Sequence, residues 1–336
     1  MRVLLIKTSS MGDVIHTLPA LTDASQMIPG IEFDWIVEES FAEIPAWHPA
    51  VKRVIPVALR KWRKNVFARE TRDGWRKLRA ELKETKYDFI LDAQGLAKSA
   101  FLGFLAQGLR VGLDFRSARE WPAALAYQKR CTVNFYQHAV IRMRSLFSQA
   151  LDYSQPATAA DFGIDRTKFI NNTQQKYLVF LHATTWDSKM WPENYWVQLA
   201  TIAALHGFNV KISGGNQQEL ERSQRIAKSV PTVEALPRQT IQQMASLLAG
   251  SAAAVAVDTG FGHLAGALNI PLVSLYGSTN PEYTGVMGMQ AKNLAAKFPC
   301  SPCYKRECQY KGPSVEKPAC YETLPPELVW QALGLN

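Results

Sequence analysis

Short apolar runs alternate with helical segments along this 336-residue chain, and the alternation starts twice, which predicts two doubly wound α/β domains built on parallel sheets. The first start is Val3-Leu4-Leu5-Ile6, followed by the compact loop Thr8 to Gly12 and a helix beginning near Asp13. The second is Tyr177 to His182, followed by Ala183-Thr184-Thr185 and a helix from about Pro192. A content of 47% hydrophobic and 20% charged residues suits a folded globular chain of this length.

Each element follows from its local pattern. Val3 to Ile6 is apolar throughout, as a central parallel strand with both faces covered must be. Phe33 to Val37, Val54 to Val57, Phe89 to Asp92 and Val111 to Asp114 continue the first sheet, with helices over Trp75 to Lys86 and Ala139 to Ala150. The polar, weakly periodic stretches Asp152 to Ala159 and Asn171 to Gln175 mark a boundary. This predicts domains over 1–160 and 161–322, with a C-terminal helix in 323–336 packing back on the first domain. Asn209 to Ser213, Ala253 to Val257 and Leu272 to Tyr276 are the further strands of the second sheet. A ligand cleft between two such domains is expected, because open α/β sheets bind ligands beyond the carboxyl ends of their strands.

Several classes of function lose support. The opening apolar run stops at Lys7, and no stretch reaches the roughly 18 apolar residues of a membrane span, so a cytoplasmic protein is expected. No strand leads into Gly-x-Gly-x-x-Gly, and neither a P-loop nor a serine-hydrolase elbow is present. Charge is uneven: residues 1–150 carry +8 of the total +9. Arg60, Lys61, Arg63 and Lys64 crowd around Trp62, and like charges so close together favour an anionic partner. A nucleic-acid-binding protein would explain that cluster but leaves the loops of the second half without a use.

Those loops are suited to phosphate. Asp258-Thr259-Gly260 with His263 joins a strand end to a helix start, where free N–H groups and the helix dipole attract anions. Thr184, Thr185 and Lys189 offer two hydroxyls and a cation just past another strand, although Lys189 also fits a solvated surface charge. Ser213 to Asn216 is closed by Glu219, which is either a ribose-binding acid or a surface residue in a helix first turn. In the first half Asp13 is the ionised acid of the opening loop, and taken alone it reads as a helix cap.

Three motifs together carry a resemblance. Lys7 to Leu21, His182-Ala183-Thr184-Thr185 with Lys189 and Trp191-Pro192, and Asp258-Thr259-Gly260 with His263-Leu264 resemble the lipopolysaccharide heptosyltransferase family, nearest its type I branch. The resemblance implies a GT-B fold, two Rossmann-like domains facing each other across a cleft. It implies inverting transfer of L-glycero-D-manno-heptose from ADP-heptose to a Kdo residue of Kdo-lipid A. Asp13 is then the general base, and Lys189, Thr184 and Thr185 stabilise the leaving diphosphate. Asp258, Thr259, Gly260 and His263 complete the donor site, with Glu219 on the ribose. Ser10, Gly12, Arg60, Lys61, Arg63 and Lys64, with Arg116 and Arg119 as weaker candidates, are expected on the acceptor side.

No cofactor is expected for catalysis, since Lys189 and a helix terminus supply positive charge. No nucleic-acid partner is expected either. The basic cluster implies peripheral contact with the anionic inner face of the cytoplasmic membrane. A type II enzyme or another GT-B sugar transferase is the alternative, because the tail Cys300, Cys303, Cys308, Cys320 is more familiar from type II, while Gln239 stands where the type I pattern has a Met near the adenine and bears on the base contacts. Free or partly buried thiols are the preferred reading of that tail, with a structural zinc site as the metal alternative.

Overall fold

The runs that are apolar from end to end form the middle of two sheets. The computed structural model describes residues 1–170 and 176–335, so the predicted boundary stretch 171–175 lies outside the described residues. The chain divides into two units, Met1–Ile164 and Asp165–Asn336.

The first unit holds β1 (Arg2–Ile6), β2 (Glu32–Glu38), β3 (Val51–Val57), β4 (Lys86–Asp92), β5 (Gln107–Leu113) and β6 (Lys129–Cys131). They pair in parallel in the order β3-β2-β1-β4-β5-β6. Its helices are α1 (Met11–Met27), α2 (Glu43–Ala46), α3 (Leu59–Lys64), α4 (Arg69–Lys83), α5 (Ala97–Gly103) and α6 (Ala139–Leu151). The second unit holds β7 (Tyr177–Leu181), β8 (Asn209–Ser213), β9 (Val233–Leu236), β10 (Ala253–Val257), β11 (Leu272–Tyr276) and β12 (Ala291–Ala295). Its sheet runs β12-β11-β10-β7-β8-β9, also parallel throughout. Its helices are α7 (Glu193–Leu205), α8 (Gln217–Ser229), α9 (Ile241–Ala249), α10 (Gly260–Ala267), α11 (Pro281–Thr284) and α12 (Pro326–Leu333).

Counted from its own first strand, each unit has the same order, and the order reverses between its first and fourth strands. At such a switch point neighbouring connections leave toward opposite faces of the sheet and open a crevice at the strands' carboxyl ends. The crevices therefore lie beyond β1 and β4 in one unit and beyond β7 and β10 in the other.

Three strands were not legible in the sequence: β6, β9 and β12. Each is an outer strand, and the exposed Lys292 and Asn293 of β12 show why a search for continuous apolar runs passes over it. Helix α4 spans Arg69–Lys83 rather than Trp75 to Lys86, because Lys86 already opens β4. Helix α1 starts at Met11, with Ser10 as its N-cap, so Asp13 stands in the first turn and is not the cap residue.

The C-terminal helix packs into the core of the second unit. Helix α12 belongs to the second unit, where Val329 and Trp330 join the apolar cluster that includes Trp196 and Leu199 of α7. Trp330 also lies 4.8 Å from the His206 ring and 6.1 Å from Phe208.

In the first unit α1 and α6 are locked by an ion pair. Arg144 Nε donates to Asp23 Oδ2 at 2.6 Å and its second nitrogen to Oδ1 at 3.0 Å, both side chains being only 4% exposed. The same guanidinium donates to the carbonyls of Pro156 and Thr158, which ties the polar stretch after α6 onto that helix. Arg144→Met strands a buried carboxylate and is expected to destabilise the first unit by about 3–5 kcal/mol. Urea denaturation followed by hydrogen exchange of α1 amides checks this, and Lys52→Ala, which loses only an exposed partner of Glu32, is expected to leave the midpoint unchanged.

Candidate active site

At the first switch point the loop between β1 and α1 is held by its neighbour. Buried Asp92, at the end of β4, accepts from Gln94 N, Gly95 N, Ser99 Oγ and Tyr127 OH at 2.6–3.1 Å. This fixes Gln94, whose Oε1 takes the N–H groups of Thr8 at 3.0 Å and Ser9 at 3.2 Å. The loop then delivers Ser10, whose N–H and Oγ donate to Asp13 Oδ2 at 2.8 and 2.9 Å. Asp13 Oδ1 faces Lys7 Nζ at 3.9 Å, and the Asp13 side chain is 30% exposed.

The charges around Asp13 decide its state. Burial works to raise its pKa, but Lys7 opposes this most strongly, with the Ser10 N–H, Arg119 and His16 adding to it, and the carboxyl is held down at about 2. Asp13 is therefore ionised at neutral pH. Burial lowers the Lys7 pKa, with Asp13 working against it, and Lys7 Nζ also donates to Ala93 O at 2.9 Å.

Other acceptor-side candidates fall in different places. Arg119 is exposed, on the loop after β5, and its charge acts on both Asp13 and Lys7. Arg116 is exposed on the same loop, its N–H held by Asp114. Gly12 is buried within the first turn of α1, while Ser10 is exposed. Arg60, Lys61, Arg63 and Lys64 all lie exposed on α3 beyond the outer strand β3, two strand positions from β1, or about 10 Å across the sheet.

Arg142 was missed. It sits on α6, its charge acts on Lys7 and Asp13, its Nε makes no hydrogen bond among the described residues, and its guanidinium lies 4.5 Å from the Phe135 ring. Nothing local in Ala139 to Ala150 marks it, since only the packing of α6 beside α1 brings it there.

The second switch point gathers the phosphate-type residues. Lys189 Nζ pairs with Asp258 Oδ2 at 2.7 Å, Thr279 Oγ1 donates to the same oxygen at 2.6 Å, and Thr184 Oγ1 donates to Asp258 O at 3.0 Å. Lys189 Nζ also lies 4.5 Å from the Trp186 ring, and Tyr321 OH holds Lys189 O at 2.7 Å. Lys189 is thus no freely solvated surface charge. Thr259 stands at the N-cap position of α10 without a side-chain capping bond among the described residues, and His263 is buried within the helix.

A cavity of about 780 Å³ opens beside these residues, with His182, Thr184, Thr185, Glu219, Arg222 and Arg225 in its wall. The two arginines carried no motif, although the Glu219 to Arg222 spacing puts both on one face of α8. Glu219 is half-buried, and its Oε2 accepts from Gly215 N at 2.6 Å. Gly214 permits this close approach, since a Cβ there would stand 2.5 Å from the Glu219 Cβ. Thr259 and Gln239 line a separate, smaller pocket of about 40 Å³ with Ser213 and Gly214. Cys300, Cys303, Cys308 and Cys320 are free thiols lining one 400 Å³ cavity, and no group of three or more His, Cys, Asp or Glu side chains is arranged to hold a metal ion among the described residues.

Two parallel, helix-covered sheets, each ending at its switch point in a small-residue loop and a helix start, have the architecture of glycosyltransferases of the GT-B class. The sequence profile of glycosyltransferase family 9 (heptosyltransferase) matches residues 75–313, and the chain belongs to that family. It is 50% identical to lipopolysaccharide heptosyltransferase 1 of Pseudomonas aeruginosa, over 98% of this chain and 96% of that one. With the Escherichia coli K12 protein of the same name the identity is 48%, covering 87% and 92%. The solved structure of E. coli heptosyltransferase WaaC with ADP superposes with a TM-score of 0.89 at 43% identity over 99% of both chains. WaaC with ADP-2-deoxy-2-fluoro heptose gives 0.85 at 42%, again over 99% of each.

Two buried histidines set an acid limit on stability. Burial pushes the His48 pKa down to about 4, and burial with Arg222 pushes His182 down to about 3. Both are neutral when folded, whereas the unfolded chain binds their protons below about 6.5. Stability is therefore full above pH 6.5 and falls as pH drops, by up to about 3 kcal/mol toward pH 4 for His48 and up to about 5 kcal/mol toward pH 3 for His182. In denaturation midpoints measured from pH 7 to 4.5, His48→Gln is expected to flatten the slope of the first unit, and an unchanged slope contradicts the assignment.

Proposed function

We propose that the chain transfers L-glycero-D-manno-heptose from ADP-heptose to a Kdo residue of Kdo-lipid A, inverting the anomeric centre, in lipopolysaccharide inner-core synthesis. The observation that carries this is an ionised, partly open carboxylate, Asp13, at the switch point of one unit, with the paired Lys189 and two threonine hydroxyls at that of the other. The names of the relatives supply the sugar and the acceptor pathway.

In the reaction the acceptor hydroxyl gives its proton to Asp13 as its oxygen bonds to the anomeric carbon. The bond from that carbon to the diphosphate breaks, and ADP leaves with the electron pair. A carboxylate held near pKa 2 by cations is a weak base at rest. An acceptor rich in carboxylates and phosphates, bound beside Arg119 and Arg142, offsets that positive field and raises the proton affinity of Asp13 as attack begins. In the second unit Thr185, the start of α10 and Thr184, whose hydroxyl turns from the Asp258 carbonyl to the incoming oxygen, donate to the diphosphate, and the ammonium of Lys189, fixed by Asp258, meets the charge that grows on the leaving oxygen. Glu219 receives the ribose hydroxyls. Lys189 and the helix terminus take the part that a divalent ion plays in other glycosyl transfers.

Arg60, Lys61, Arg63 and Lys64 hold acceptor anions in this reading, and the enzyme works at the cytoplasmic face of the inner membrane. No helix among the described residues is long and apolar enough to cross a membrane.

Incubation with ADP-heptose and Kdo-lipid A is expected to add one heptose, and a product formed only on an acceptor that already carries heptose indicates the type II reaction instead. Asp13→Asn keeps an oxygen that can accept from the N–H and hydroxyl of Ser10 yet removes the base. Its kcat is expected to fall at least ~10²-fold while ADP binding stays unchanged, and full activity would return Asp13 to a structural role. Transfer is expected to continue undiminished in excess EDTA, and its acceptor KM to rise with salt as the exposed cations are screened.

A further inference from the structure

Helix α5 and the turn Trp121 to Ala126 pack on each other through small side chains: Ala100, Ala123 and Ala124 are buried together with Tyr127. Four large apolar side chains on or next to these two elements are left exposed. Phe101 is 55% exposed, Phe104 56%, Trp121 63% and Leu125 64%. Leu102 of α5 turns into the core of the sheet, but these four large apolar side chains stay in solvent beside buried alanines, where a surface element ordinarily hides its bulk. Glu120, the acid beside them, is spent on the N–H of Ala97 at 2.8 Å.

This apolar face continues into the basic cluster. Phe101 meets Trp75 edge-on at 6.0 Å, and Trp75 meets Trp62 at 5.0 Å, within the helix that exposes Arg60, Lys61, Arg63 and Lys64. Phe67, 93% exposed, projects from the link between α3 and α4. Exposed aromatic side chains beside lysines and arginines match the boundary between headgroups and acyl chains of an anionic bilayer, where rings sit among the chains and cations among the phosphates. Four large side chains that project from short elements, rimmed by positive charge, suit a fluid lipid surface better than a shaped protein partner.

We propose that Phe101, Phe104, Trp121 and Leu125 insert into an anionic phospholipid bilayer while the cations of α3 lie on its phosphates. This rests on the reading of the acceptor as membrane-borne and deepens it, because the ligand here is the bilayer itself. Insertion brings the first unit to the surface from which a lipid-anchored acceptor protrudes.

The test uses the full chain and vesicles of phosphatidylglycerol and phosphatidylethanolamine that contain no acceptor, so that its outcome is separate from heptose transfer. In co-sedimentation the parent is expected to bind, and phosphatidylcholine vesicles to bind it far more weakly. The double variant Phe101→Ser, Trp121→Ser is expected to lose at least ~10-fold in vesicle partition at low and at physiological salt. Lys61→Gln with Arg63→Gln is expected to weaken binding chiefly at low salt. Transfer by the apolar variant to a deacylated, water-soluble acceptor is expected to match the parent, which shows that it is folded, while transfer to vesicle-embedded acceptor falls. A parent that ignores anionic vesicles overturns the proposal, and so does an apolar variant that binds them like the parent. A parent dimer that the apolar variant converts to monomer, without change in vesicle binding, assigns the face to self-association and also overturns it.

Discussion

The reversal of strand order between β1 and β4, repeated between β7 and β10, is the constraint on which the rest depends. Parallel strands need long crossovers, and where the winding changes direction no crossover covers the gap between adjacent strands. The ends of β1 and β4 meet there, and buried Asp92 at one end organises the loop at the other through Gln94. The equivalent gap in the second unit lets Thr184 after β7 reach the Asp258 carbonyl after β10.

Both units aim an acid by the same local device. Ser10 caps α1 with Asp13 three positions on, and Asn216 caps α8 with Glu219 three positions on. In each case the acid turns back toward the N–H groups before its helix. The geometry that saturates a helix end also fixes a carboxylate at the crevice. What separates the two acids is their surroundings: Asp13 stands among Lys7, Arg119 and His16, which hold its proton affinity low.

Charge pairing also distinguishes the two crevices. Lys7 and Asp13 remain 3.9 Å apart, a field acting across a gap, whereas Lys189 and Asp258 are in contact at 2.7 Å. The first arrangement leaves a carboxylate whose affinity responds to an arriving anion. The second holds an ammonium in place, steadied by the Trp186 ring and by Tyr321 through its carbonyl.

The central strands and the loops after them were legible in the sequence, because a run such as Val3 to Ile6 is stable only with both faces covered, and small polar residues at its end mark where the chain turns into a helix. Family motifs in those loops pointed to Asp13, Thr184, Lys189 and Asp258. The outer strands β6, β9 and β12 were not legible, since one open edge removes the demand for continuous apolar sequence. The packing of α12 on α7, the union of Lys189 with Asp258, and the approach of Arg119 and Arg142 to Asp13 were decided by tertiary structure alone. Burial and local hydrogen bonding act over a few residues of chain and leave their pattern in it. Coulomb interactions depend on distance in space, and only the order of strands and the packing of helices sets which distant charges meet.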